Sequence, residues 1–145
     1  MKRLAIILFS AVILSACDRI YINGALDGMW QLQLVEENDG TTAHPHRIYY
    51  SFQQHLAKVS QHYEYELPYR FLCNLDYTGD SIKMKDFIRF EDDRNYPDKI
   101  AGNVPQETLD IFYIESDPTA FKILTLNDEM LILQSKNRKY TLQKW

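Results

Sequence analysis

The chain has 145 residues, 46% of them apolar and 13% aromatic, with 16 Lys and Arg set against 20 Asp and Glu for a formal charge of −4. A chain of this length encloses one modest core. Its mildly acidic balance, without a long basic run, gives no electrostatic reason to bind nucleic acid.

In chain order, a leader comes first. Lys2 and Arg3 precede the apolar stretch LAIILFSAVIL, Leu4 to Leu14. A bilayer span needs about 20 apolar residues, so this shorter stretch fits a secretory signal instead. LSAC, Leu14 to Cys17, matches the lipobox of bacterial lipoproteins: an aliphatic residue, two small residues, then the cysteine whose thiolate receives diacylglycerol. Residues 1–16 are therefore read as a cleaved lipoprotein signal, 17–25 as a lipidated tether and 26–145 as one folded domain. Cleavage removes Lys2 and Arg3 and takes the formal charge from −4 to −6. Membrane attachment then rests on lipid, at about 0.8 kcal/mol per buried methylene. With Cys17 lipidated, Cys73 has no intrachain disulfide partner. It shares one strand face with Tyr69, Phe71, Leu75 and Tyr77 and reads as a small buried apolar residue. A catalytic thiol would need a neighbouring base.

The rest reads as short strands with period two. In the first, Trp30, Leu32 and Leu34 point inward. In the second, Ile48, Tyr50 and Phe52 do so, and the parity then fails. A bulge or tight turn near Gln53–His55 restores it for Ala57 and Val59. YRFLCNLDY and SIKMKDF flank Thr78-Gly79-Asp80, a hairpin signal. AFKILTL, MLILQS and KYTLQKW form a terminal meander. One segment differs: VPQETLDIFYI places Pro105 and Glu107 where a helix starts and Leu109, Phe112 and Tyr113 on one face. It predicts a two-turn helix that ends before Asp117-Pro118 and packs on the sheet or closes one end.

About eight antiparallel strands avoid exposed edges by closing into a barrel. The expected fold is therefore all-β: a small antiparallel barrel with one short helix before the C-terminal meander. In such a barrel Gly28 permits a tight entry, and Trp30 covers the floor. Gly28-Met29-Trp30 resembles the Gly-x-Trp that opens the first lipocalin strand. With LDGMWQLQLVE, IYYSFQ, LTLNDEMLIL and the ending YTLQKW, the chain resembles the lipocalin-like, calycin-type lipoproteins of Gram-negative anaerobes. The resemblance implies a cation packed over Trp30, with Arg138, Lys139 and Lys144 as candidates. It also implies a place in the Gram-negative cell envelope, lipid-anchored at the outer membrane.

No enzyme motif is visible, so the expected role is binding, without a cofactor. His44, His46, His55 and His62 read as solvated or incidental rather than as metal ligands, since zinc needs three or four converging groups. Glu91, Asp92, Asp93 and Asp98 lack the spacing of a calcium loop. Tyr50, Phe52, Tyr63, Tyr65, Tyr69 and Phe71 are the candidate lining for a small hydrophobic or amphipathic ligand. The alternative is a barrel filled by its own side chains that acts as an accessory or inhibitory protein on a partner the sequence does not identify. Interior volume separates the two: roughly 300 Å³ or more favours the ligand.

Overall fold

The computed structural model describes residues 22–62, 69–90 and 100–145. Among these residues ten strands form one antiparallel sheet: β1 Gly28–Glu37, β2 Thr42–Ala43, β3 Ile48–Gln53, β4 Leu56–Gln61, β5 Tyr69–Tyr77, β6 Ser81–Phe90, β7 Ile100–Asn103, β8 Thr119–Leu126, β9 Met130–Gln134 and β10 Arg138–Lys144. A short helix, α1 (Gln106–Ile111), separates β7 from β8. Eight strands follow one another round the sheet as β1-β3-β4-β5-β6-β8-β9-β10. The sheet then closes on itself, with Trp30 of β1 opposite Lys144 of β10 and Glu37 opposite Arg138. Closure leaves the eight wall strands no free edge. β2 pairs with β1 and β7 with β6 as short extra strands.

The inward face carries the expected side chains, with corrections where the ladder slips. β1 has a bulge between Leu32 and Leu34, so Val35 and not Leu34 is the third buried residue of that strand. The parity break after Phe52 is a tight turn, with Gln54 at φ +55°. β4 restarts beyond it and buries Ala57 and Val59. In β6 the bulge lies at Asp86, at φ +59°. The Asp117 carboxylate accepts the Asp86 and Phe87 N–H groups there, both at 2.9 Å. The register shift turns Phe87 inward after Ile82 and Met84. The folded region also starts earlier than residue 26. Gly24–Leu26 form a 3₁₀ turn, with Asn23 and Leu26 buried. The stretch read as tether thus contains part of the barrel floor.

Candidate functional site

The strands leave two ends, and the two are sealed differently. At the closed end the linking turns are short: Gln54–His55, Thr78–Asp80 and Asn127–Glu129. Trp30 lies across this end with no exposed surface. Its indole Nε1–H donates to Leu26 O at 2.8 Å, so the ring's one polar group is satisfied by the 3₁₀ turn beneath it. Lys144 Nζ stands 4.4 Å from the Trp30 ring centre. It donates to Ala25 O at 2.8 Å and Asp27 O at 2.7 Å. Of the three candidate cations, Arg138 instead pairs with Glu37 at 2.6 Å and Lys139 with Glu36 at 2.7 Å. Gly28 has φ +127°, and a Cβ there would stand 2.9 Å from Lys144 Cε. The glycine is what lets the lysine stem pass. Asn23 completes the floor: its side chain donates to Asp27 Oδ1 and Gln54 O, both at 2.8 Å.

At the open end the segment after α1 turns into the barrel. Phe112 is buried and meets Phe71 edge-on at 4.7 Å. Its carbonyl accepts the Tyr50 hydroxyl at 2.7 Å, and the Tyr113 carbonyl accepts the Tyr140 hydroxyl at 2.7 Å. Glu115 then ties the segment to the β9–β10 turn by accepting Ser135 Oγ at 2.6 Å and Asn137 N–H at 3.2 Å. Burial pushes the Tyr50 phenol well above its ordinary pKa and the Tyr140 phenol up to about 12. Both hydroxyls therefore stay protonated donors. Burial likewise raises the Cys73 thiol to about 12, which removes the thiolate.

Between the two seals the interior is filled. Trp30, Tyr50, Phe52, Phe71, Phe87, Phe112, Phe121 and Tyr140 are each at most 2% exposed. Among the described residues these rings pack against one another and leave no exposed lining between them. Tyr50, Phe52 and Phe71 are thus brought together as core residues. Tyr69 lies in β5 opposite Gln61. Tyr63 and Tyr65, and Glu91, Asp92, Asp93 and Asp98, lie outside the described residues. His62 packs on Tyr49 on the outer wall, with ring centres 4.8 Å apart, and His44 sits beside Gln33 O. An open depression of about 1190 Å³ lies outside the closed end, lined by Gly24, Ser51, Gln54, Lys58, Asp128 and Trp145 among others. Ser51 Oγ is buried there with no hydrogen-bond partner among the described residues. The depression has no local sequence signature because its lining comes from segments far apart in the chain: the turn before β1, the β3–β4 hairpin, the β8–β9 turn and the residues around Lys144.

A closed eight-stranded meander with an indole-and-lysine floor beneath Gly-x-Trp defines a lipocalin-type barrel. The sequence profile of a family described as "Lipocalin-like domain" matches residues 12–145. The chain belongs to that family. Its fold is similar to the crystal structure of a lipocalin-like protein from Bacteroides uniformis, with TM-score 0.62 and 22% identity over 84% of this chain and 100% of that one. It is equally similar in TM-score (0.62) to an uncharacterized protein from Bacteroides eggerthii, 16% identical over 83% of this chain and 99% of that one. No curated protein matches the sequence.

Proposed function

We propose that the protein is a lipid-anchored envelope protein that binds rather than catalyses, and that it binds through its outer surface and rim. The carrying observation is the filled interior: eight large aromatic side chains at most 2% exposed, with Phe112 inserted against Phe71 and Tyr50. The anchor rests on the n-region, the apolar stretch and LSAC ending at Cys17. Outer-membrane placement is part of the proposal, and its support is the resemblance to envelope lipoproteins. Native mass spectrometry of the lipidated protein purified from its host tests both parts. The expected mass is that of residues 17–145 plus the acyl groups on Cys17, with no further small molecule. Cys17→Ser is expected to abolish acylation. A co-purified hydrophobic molecule released on unfolding would overturn the surface reading.

The second reading, a small amphipathic ligand in the barrel, is favoured by one detail. The Tyr50 and Tyr140 hydroxyls both point at carbonyls of a single segment. Displacing that segment alone opens an aromatic chamber with two phenols inside, suited to a ligand with one polar end. A ligand bound this way is expected to speed amide exchange at residues 112–114 while raising the melting temperature.

A further inference from the structure

Six large apolar side chains are exposed among the described residues: Ile22, Leu56, Ile111, Leu124, Met130 and Trp145. Four of them stand at the closed end. Leu56 directly follows the Gln54–His55 turn, and Asn23, beside Ile22, donates to Gln54 O. Met130 pairs with Gln143, and Trp145 donates its N–H to Met29 O. The depression lined by Gln54, Asp128 and Trp145 lies among them. Single exposed apolar residues are ordinary, but these stand round the rim of one end, from β4 on one side of the ring to β9 on the other, and together they make an apolar rim, the closed-end patch. Trp145 is 70% exposed and rests edge-on against Tyr49 at 5.3 Å, which holds its ring on the outer wall.

The chain itself points to what covers this patch. The described residues begin at Ile22, at the same end, and Cys17 is only five residues earlier. Five residues reach at most about 18 Å when fully extended. A ten-residue strand tilted by about 40° makes the barrel about 25 Å long, so the tether holds the closed end, and not the open end, against the bilayer. Tryptophan favours the headgroup level of a membrane, where one side of the ring is apolar and the other wet. The mature charge of −6, with Asp80, Asp128 and Glu129 in the closed-end turns, offers no attraction to anionic lipid, so the apolar rim and not charge makes the contact.

We infer that the closed-end patch of Ile22, Leu56, Met130 and Trp145 rests in the interface of the bilayer that carries the anchor, so that α1 and the open end face away from it. This rests on the lipid-anchor reading of Cys17. The test uses the full lipidated protein in zwitterionic phosphatidylcholine vesicles, with acyl chains brominated near their tops as a contact quencher. Trp145 is expected to lose its emission while Trp30, sealed inside, keeps its own, and Trp145→Phe is expected to remove the quenchable part. Leu56→Cys and Ile111→Cys, labelled with a polarity-sensitive dye, give a second readout that leaves the core untouched. The Leu56 dye shifts to the blue on vesicle incorporation and the Ile111 dye does not. Acylated protein whose Trp145 is unquenched and whose two dyes behave alike overturns the inference and leaves the anchor standing. A Leu56 dye shielded without bromine quenching, in a protein that is dimeric in detergent, assigns the patch to a second copy and also overturns it. A mass without acyl groups on Cys17 overturns the anchor reading and this inference together.

Discussion

The two ends of the barrel are closed by different means. The closed end is sealed from both sides of one ladder: the turn before β1 lies under Trp30, and Lys144 of β10 reaches across to that turn. These contacts sit on the β1–β10 ladder, so opening this end breaks the barrel. The open end is sealed by Phe112–Glu115, a segment outside every strand, held by two tyrosine hydroxyls, an aromatic contact and the Glu115 bonds. It can leave without costing a ladder hydrogen bond. One seal is part of the architecture and the other is an inserted piece. Any change of state in this protein is expected at the second.

Trp30→Ala and Phe112→Ala each remove a fully packed aromatic and are expected to cost about 3–5 kcal/mol in urea denaturation. Native-state amide exchange then separates the ends. Amides of residues 112–114 are expected to exchange through local opening, and those of Trp30 and Leu142 only through global unfolding. Equal protection at both would erase the distinction. Gly28→Ala forces an L-residue to φ +127° and a Cβ against Lys144, at a cost of about 1–3 kcal/mol. Tyr50→Phe removes the hydroxyl that donates to the Phe112 carbonyl, which is expected to cost about 1 kcal/mol and to raise exchange at residues 112–114 selectively. The smallest effect is chemical. The native Cys73 thiol is expected not to react with a disulfide reagent at pH 8, and to react fully on unfolding. Because its folded pKa of about 12 lies above the unfolded value near 9, this group's contribution is complete below pH 9 and is lost as pH rises toward 12.

Most of the barrel was legible because alternation is a local signal, and the burial of Ile48, Tyr50 and Phe52 or of Phe71, Cys73 and Leu75 needs only period two. The bulges were not. Leu34 and Val35 are adjacent and both apolar, so nothing in their identity says which turns inward once the ladder slips. β2 and β7, at two and four residues, are too short to carry a pattern. Lys144 was within reach, since it shares parity with Tyr140 and Leu142 and stands opposite the first strand's Trp30 once the barrel is closed. The turn at Asn23–Ala25 was missed because this short stretch resembles a tether; the Asn-Gly pair at residues 23–24 was the available turn signal. The open-end seal depends on phenols 62 and 27 residues away from the carbonyls they meet, and no local pattern reports such a pairing.

The β1–β10 ladder also has a consequence in time. Trp30 waits for Lys144, its partner across more than a hundred residues of sequence, and such long-range pairings are the slow ones in folding. As the chain is made, β1 emerges first with a row of unsatisfied amides, and its partner is the last strand to appear. Until the seven residues of β10 arrive, β1 and β9 are both open edges that another chain could join. A ribosome that stalls before β10 therefore leaves an incomplete ring with two adhesive sides, not a slightly shortened barrel.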